Sequence, residues 1–364
     1  MQHTPEHGLA EVPLPGRRES LALLEQRLPT MAERTRTAMR GIVDTWQPSD
    51  FLPDLSRGEV AIEEIRTIQR QARTLSPELL TVLVGDAMTE DGLPLFASRL
   101  FSLQGLPTTD SGDAHPRGGL QAWFRAWAAE EHRHGELLNS YMRFTGRVDM
   151  KAYERSVQMF NEDGIDLGID ADPYKGFVYT SFQELATQRS HANVARLAKE
   201  QGNPLLARIC GQIAADEAYH AKAYIAFVRT FFERDPSGMM QALRDMLQRG
   251  IVMPAHNMRE VDPDGRVLQP GELYAYFSDV AQRLEVYTAK DYAEISGQIL
   301  TAWKVGVRKE NRWEALPFDG LDEAGRDAQH AILRRQSLTE KIAARERTII
   351  TPARSVSWLV REQA

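Results

Sequence analysis

Two segments of this chain each place a glutamate and a histidine three residues apart within an otherwise apolar helical stripe. In segment 204–233 the stripe, read at spacings of four and three, is Leu206, Cys210, Ile213, Glu217, His220, Tyr224 and Phe227. Segment 119–144 repeats the pattern in the same phase, with Leu120, Phe124, Trp127, Glu131, His134, Leu138 and Tyr141. Because burying an unpaired charge is costly, these four polar side chains need a partner inside the core.

A metal ion is a suitable partner. Residues i and i+3 of an α-helix lie on one face about one turn apart, so Glu-x-x-His directs a carboxylate and an imidazole at one ion. Each pair is preceded by a segment with a core-facing glutamate, Glu90 and Glu184, which lie 41 and 33 residues upstream. One glutamate from each of two helices and Glu-x-x-His from two others form the ligand set of ferritin-like di-metal proteins. The predicted ligands are Glu90, Glu131, His134, Glu184, Glu217 and His220.

The chemistry of this ligand set favours iron. Four buried carboxylates carry four negative charges, which two divalent cations neutralise. Mixed carboxylate and imidazole ligation suits redox-active iron or manganese better than structural zinc. No thiolate is expected at the site, since Cys210 is the only cysteine and reads as a core residue. We therefore predict two iron ions per chain, alternating between Fe2+ and Fe3+.

Helical periodicity dominates the chain between residues 19 and about 310 and indicates an all-α fold. We expect a ferritin-like four-helix bundle with flanking helices and a short C-terminal extended or hairpin segment at 346–360. The predicted helices are 19–46, 58–74, 77–104, 119–144, 150–161, 175–202, 204–233, 237–250, 273–284, 289–305 and 322–337.

Four of these helices, 77–104, 119–144, 175–202 and 204–233, carry the ligands and form the predicted bundle. No Gly/Ser-rich linker divides the chain. Residues 19–364 are therefore expected to form one domain, preceded by a flexible arm at residues 1–18.

Composition excludes several classes of protein. The chain has 364 residues, of which 42% are hydrophobic and 26% charged, and a net charge of −7 spread along its length. This balance predicts a soluble globular protein without a nucleic-acid partner. The longest apolar stretch, 79–88, is shorter than the roughly 20 residues that span a bilayer. The first 20 residues resemble neither a secretory signal nor a transit peptide.

Charged residues beside the ligands allow two interpretations. Glu130 and Asp216 each precede a ligand glutamate, and they are either helix-surface charges or hydrogen-bond partners that orient an imidazole. His132 points about 200° away from His134 around the helix axis, which favours the bundle periphery over ligation. His191, on the face of the Glu184 helix, is expected to be a hydrogen-bonded core histidine rather than a third imidazole ligand.

Two further residues have a structural and a functional interpretation. Thr187 lies one turn from Glu184, where a mid-helix threonine usually bonds its own backbone. Its hydroxyl also has the position to face the oxygen-binding side of the metals. Trp46, near a helix end, is by default a packing aromatic.

Short motifs between Trp46 and the C-terminal SVSW are typical of one family. They are 46-WQPSDFLPD-54, 84-VGDAMTE-90, 127-WAAEEHRHGELLN-139, 146-GRVDM-150, 176-GFVYTSFQELAT-187, 213-IAADEAYH-220, 253-MPAH-256 and 286-VYTAKDYA-293. Together they resemble the soluble acyl-acyl carrier protein desaturases, the stearoyl-type enzymes of plant plastids and their bacterial relatives.

The resemblance implies that the same six side chains ligate two irons. It implies that Thr187 lies near the oxygen-binding face and that Trp46 and Asp216 belong to a path delivering electrons towards His134. It also implies an acyl channel lined by Gly176 and Phe177.

The function expected from this resemblance is fatty acid desaturation. A di-iron acyl-[acyl carrier protein] desaturase uses O2 and two electrons from ferredoxin to introduce a cis double bond into a saturated acyl chain. The expected partners are acyl carrier protein, ferredoxin and a second copy of the chain. The alternatives are a di-iron acyl-chain hydroxylase or a non-catalytic iron-binding ferritin-like protein. The N-terminus favours the bacterial cytoplasm, with a mature plastid stromal protein as the alternative.

The chain departs from the usual family pattern at several positions. His132 stands where the family has asparagine, and Arg99 stands where plant enzymes have an apolar channel residue. Around the second Glu-x-x-His pair the usual Asp-Glu-Lys-Arg-His-Glu reads Asp216, Glu217, Ala218, Tyr219, His220 and Ala221. All the ligands are kept, while acyl chain length and double-bond position are left open.

Overall fold

The computed structural model describes residues 15–35, 42–106, 119–261, 265–269, 271–310, 312–345 and 356–360, and these are mainly helical. This agrees with the predicted all-α, ferritin-like fold. The first six helices are α1 Pro15–Thr35, α2 Glu59–Ala72, α3 Pro77–Asp91, α4 Leu93–Phe101, α5 Leu120–Thr145 and α6 Met150–Asp163. The others are α7 Pro173–Glu200, α8 Pro204–Arg234, α9 Pro236–Arg249, α10 Glu272–Arg283, α11 Ala289–Ala302 and α12 Glu323–Ala343. No helix among these residues is long and apolar enough to cross a bilayer.

The two longest helices, α7 and α8, form an antiparallel pair whose ends are set by local sequence. The Asp172 side chain accepts from the Tyr174 N–H at the start of α7, and a proline follows the cap. Asn203 caps α8 in the same way by accepting from the Leu206 N–H. Because only three residues separate helices of 28 and 31 residues, α7 and α8 pack along their length.

The predicted ligands lie between two hydrophobic cores. In α5, Trp127 belongs to an aromatic-rich core, whereas Leu138 belongs to a mainly aliphatic one. In α8, Tyr224 belongs to the first core and Ile213 to the second. The Glu-x-x-His pairs therefore occupy a polar layer with packed apolar side chains on both sides.

Two predicted helices have different bounds in the structure. The predicted helix 77–104 is two helices, because α3 ends at Asp91 and α4 begins after Gly92. Pro94 lacks the N–H that a continuous helix needs, and a Cβ on Gly92 would lie 2.5 Å from Phe160 Cε1. The predicted helix 19–46 begins earlier, at Pro15, and α1 ends at Thr35. Residues 15–18 of the predicted arm belong to α1, and residues 1–14 lie outside the described part of the chain.

Among the described residues, a β-hairpin forms where the sequence analysis predicted no strand. Strands β1 Gly306–Lys309 and β2 Arg312–Ala315 pair antiparallel, with Gly306 opposite Ala315. Most of the predicted segment 346–360 lies outside the described residues. Its described end, 356–360, contributes one bridging pair, Val148 with Leu359.

Candidate metal centre

Six buried side chains from α3, α5, α7 and α8 converge in two overlapping groups. Each group offers four ligand atoms that all lie within 4.8 Å of one another. Glu131 and Glu217 belong to both groups, as carboxylates do when they bridge two ions. The groups are Glu90, Glu131, His134 and Glu217, and Glu131, Glu184, Glu217 and His220.

The imidazole nitrogen Nδ1 faces the centre in both histidines. His134 Nδ1 lies 3.0 Å from Glu217 Oε1, 3.4 Å from Glu131 Oε2 and 3.8 Å from Glu90 Oε2. His220 Nδ1 lies 2.7 Å from Glu131 Oε1 and 3.4 Å from Glu184 Oε2. The two rings are 6.1 Å apart between centroids.

The inward-facing atoms fit a pair of divalent cations. Buried polar atoms normally have hydrogen-bond partners, yet five inward-facing ligand atoms form no hydrogen bond of good geometry with any described residue. They are Glu131 Oε1, Glu184 Oε2, Glu217 Oε1, His134 Nδ1 and His220 Nδ1. A donor set of four carboxylates and two imidazoles without thiolate matches iron or manganese.

Without metal, protons compensate the charges of this layer. Burial raises the pKa of Glu90 and Glu184 well above the usual glutamate value, and neighbouring carboxylates raise it further. Burial opposes charging of the histidines, but nearby carboxylates, led by Glu131 at His134 and by Glu130 at His220, raise the pKa of both histidines well above normal. Burial also opposes ionisation of Glu131, but the two imidazoles outweigh it and lower that pKa. Metal binding must therefore release protons.

The outer nitrogen of each histidine faces a carboxylate of the opposite Glu-x-x-His helix. His220 on α8 lies 3.0 Å from Glu130 of α5 through Nε2. His134 on α5 lies 3.5 Å from Asp216 of α8, also through Nε2. Both carboxylates are buried, so they belong to the polar layer rather than to the helix surface. Such partners orient metal-ligating imidazoles.

Trp46 lies directly against this network. Its indole Nε1 donates to Asp216 Oδ2 at 2.7 Å, and its ring stacks on His134 with centroids 6.0 Å apart and an interplanar angle of 7°. Trp46 is half-buried. The predicted packing aromatic therefore also forms a specific polar contact.

Arg133 joins the two outer carboxylates, and the sequence analysis missed this role. Its guanidinium lies 3.5 Å from Glu130 Oε1, 4.0 Å from Asp216 Oδ2 and 4.6 Å from the centre of the Trp46 ring. It also donates to the Trp46 carbonyl oxygen. In the sequence, only the position of Arg133 between Glu131 and His134 indicates this role.

Other donors hold the ligand carboxylates. The Trp127 indole donates to Glu184 Oε1 at 3.1 Å. The Thr187 hydroxyl lies 3.0 Å from the Gln183 carbonyl oxygen, which is the expected bond to its own helix, and 2.8 Å from Glu217 Oε2.

His191 is buried and hydrogen-bonded, as expected, but its partner lies on another helix. Its Nε2 is 2.9 Å from Glu90 Oε1 of α3, although the sequence placed His191 on the face of Glu184. His132, with 74% of its side chain exposed, lies outside the centre.

Two small cavities adjoin the ligands. One, of about 30 Å³, is lined by residues that include Trp127, Phe96 and Leu93. The other, of about 40 Å³, extends towards Tyr274 and Phe277 of α10. Both cavities also touch Thr89, Glu90 and Thr187.

Gly176 and Phe177 do not line either of these cavities. Phe177 is packed among aromatic rings, and a Cβ on Gly176 would lie 2.9 Å from Leu103 Cδ2. Arg99 is exposed, and its guanidinium donates to the Ile165 carbonyl oxygen at 3.2 Å.

A helical bundle with two overlapping clusters of carboxylates and imidazoles defines the class of ferritin-like carboxylate proteins that can hold two metals. Comparison with known sequences specifies the family. The fatty acid desaturase profile matches residues 19–360, and this chain belongs to that family.

Similar proteins agree with this assignment. The chain is 41% identical to stearoyl-[acyl-carrier-protein] 9-desaturase 3, chloroplastic, of Arabidopsis thaliana over 325 residues, which are 88% of this chain and 76% of the relative. It is 42% identical to the stearoyl-[acyl-carrier-protein] 9-desaturase, chloroplastic, of Spinacia oleracea, over 89% of this chain and 77% of the relative. The resemblance inferred from the motifs is thus confirmed.

Proposed function

We propose that this chain is a di-iron, O2-dependent acyl-[acyl carrier protein] desaturase that introduces a cis double bond into a saturated acyl chain. The observation that carries the proposal is the convergence of six buried ligands in a chain similar to stearoyl-[acyl-carrier-protein] 9-desaturases. Two shared carboxylates and one imidazole for each group support a pair of metals rather than one.

In this proposal the irons are held by Glu90, Glu131, His134, Glu184, Glu217 and His220. Bound iron would supply the oxidant for an unactivated C–H bond, chemistry that protein side chains lack. The surrounding residues fix the ligands: Trp127 and Thr187 hold two of the carboxylates. Packed apolar side chains lie on both sides of the layer.

Electrons are proposed to enter through Trp46 and Asp216 towards His134. The support is a continuous contact from a half-buried indole, through the 2.7 Å hydrogen bond to Asp216, to the 3.5 Å contact with His134 Nε2. We propose ferredoxin as the electron donor.

The acyl chain is proposed to lie beside the cavities that touch Thr187. Ligand pockets are commonly about 300–1,000 Å³, whereas the cavities here are about 30 and 40 Å³. Acyl binding therefore requires side chains to move. The half-buried Phe277 and Tyr274 are the best candidates because α10 covers the larger of the two cavities. A channel past Gly176 and Phe177 stays a prediction that would need displacement of Leu103.

We propose acyl carrier protein as the substrate carrier and a homodimer as the assembly. The relatives carry the word chloroplastic in their names, which supports the plastid stroma more than the bacterial cytoplasm.

Product analysis tests the proposal. Purified protein is reconstituted with Fe(II) and supplied with O2, reductant, ferredoxin and a panel of saturated acyl-acyl carrier proteins, and the acyl groups are analysed by mass spectrometry. Loss of two mass units with a cis alkene is expected. A gain of sixteen mass units would identify a hydroxylase instead. Binding of many irons per chain with unchanged acyl groups would identify an iron-storage protein.

A further inference from the structure

A second row of buried polar side chains lies behind Glu90. His191 Nε2 is 2.9 Å from Glu90 Oε1, and the Ser190 hydroxyl donates to Asp86 Oδ1 at 2.8 Å. Asp86 and Glu90 are one turn apart on α3, while Ser190 and His191 are neighbours on α7. All four are at most 9% exposed.

The row is interrupted between Asp86 and His191. Asp86 Oδ2 and His191 Nδ1 are 4.0 Å apart, too far for a direct hydrogen bond. Neither atom has a hydrogen-bond partner among the described residues. A metal-ligating carboxylate is ionised, so Nε2 must donate to Glu90, and Nδ1 of the neutral ring is then an acceptor. When Asp86 is ionised as well, two acceptors face each other across this gap.

One water molecule satisfies both acceptors. Two O–H donors of a single water, each forming a bond of about 2.8 Å, reach acceptors roughly 4.4 Å apart. The cavity of about 40 Å³ is lined by both Asp86 and His191. A water needs only about 10–15 Å³ of such space.

We propose that a buried water joins Asp86 to His191 and completes a chain of hydrogen bonds that positions the carboxylate of Glu90. The chain runs from Ser190 through Asp86, the water and His191 to Glu90 Oε1. It leaves Oε2, which lies 3.8 Å from His134 Nδ1, as the oxygen turned to the metal. Asp86, Ser190 and His191 are thus positioning residues, and this inference rests on the proposed two-metal centre.

Two bound metals would therefore be held unequally. Glu184, the corresponding carboxylate of the other group, is held by Trp127, whose indole is a donor only. Loss of His191 should weaken the ion bound by Glu90, His134 and the two shared carboxylates. The ion beside Glu184 should be affected much less.

Cobalt(II) titration of the metal-free protein measures this difference, with calorimetry for affinity and visible absorption for the geometry of each ion. In His191→Ala, we expect one of two ions to bind about 10–100-fold more weakly. In His191→Gln, an amide can again donate to Glu90, so much of the affinity should return. Ser190→Ala should have a smaller effect of the same sign. Ser156→Ala is the matched control, because Ser156 is also a buried serine but lies on α6.

The outcomes separate this inference from the proposed function. Wild-type protein that binds no cobalt would refute the two-metal centre itself. Two ions bound equally well in wild type and both His191 variants would refute the positioning role. If circular dichroism shows that His191→Ala does not fold, His191→Gln and Ser190→Ala test the positioning role. Weaker cobalt binding in Ser190→Ala than in Ser156→Ala would support that role, and equal binding in these two variants would refute it. A high-resolution crystal structure with no water between Asp86 and His191 would refute the water bridge.

Discussion

Replacing Arg133 with methionine should destabilise the protein much more than loss of an ordinary surface ion pair. The Arg133 side chain is only 8% exposed and lies 3.5 Å from Glu130 and 4.0 Å from Asp216. Removing one member of a buried charge pair costs about 3–5 kcal/mol, because the remaining charge stays buried. We expect about 3 kcal/mol, since both carboxylates keep their histidine neighbours. The Trp46 carbonyl oxygen also loses a donor.

Urea denaturation of the metal-free proteins, followed by circular dichroism, measures the effect from the shift of the midpoint at unchanged slope. The matched control is Arg143→Met on the same helix. The Arg143 guanidinium lies 2.8 Å from Glu154, but both side chains are more than half exposed, so this pair should contribute no more than about 1 kcal/mol. Similar losses in the two variants would show that the Arg133 network adds no stability.

Three further predictions concern a metal ligand, two helical glycines and the effect of pH. Glu217→Ala should abolish metal binding and turnover while circular dichroism still shows the helices; full activity would mean the site is misassigned. Gly85→Ala should cost about 1–3 kcal/mol by urea denaturation because its Cβ would lie 1.9 Å from Phe277 Cε2. Gly211→Ala should instead stabilise α8 by roughly 0.5–1 kcal/mol, because a Cβ at Gly211 would have no described atom within 4 Å beyond its chain neighbours and its own helix backbone. Equal changes in stability for the two glycine variants would contradict this reasoning. In the metal-free protein, the raised pKa of His134 and His220 stabilises the fold below about pH 6.5, the ordinary histidine pKa. This stabilisation is lost as the pH rises through the raised pKa of the folded protein. The difference in melting temperature between metal-loaded and metal-free protein should therefore grow with pH, and a constant difference would contradict this.

The sequence predicts the convergence of the six buried side chains well, because the spacing of the Glu-x-x-His pairs is a local property. The three-residue interval fixes Glu131 with His134, and Glu217 with His220, on one face of one helix. The apolar stripe around each pair then indicates which way that face points. The structure brings both pairs together with Glu90 and Glu184, as the repeated pattern predicts.

Contacts between helices were harder to predict. His191 was assigned to the face of Glu184, but its hydrogen-bond partner is Glu90 on α3. This contact was not predicted, because the periodicity of one helix does not determine how that helix is rotated against a neighbouring helix. The end of α3 at Asp91 was missed because the apolar pattern continues through Gly92 and Pro94 into α4. The hairpin at 306–315 was also missed, since each of its strands has only four residues.

The crossed pairing of Glu130 with His220 and of Asp216 with His134 has a consequence for the internal repeat. The first half of the chain, up to α6, supplies the carboxylate that contacts the imidazole of the second half, which starts at α7, and the second half does the same for the first. A fragment ending after α6 would keep His134 but lose Asp216, and one starting at α7 would keep His220 but lose Glu130. Each half therefore needs the other to complete its histidine contacts, and neither half alone is expected to form a single-metal site.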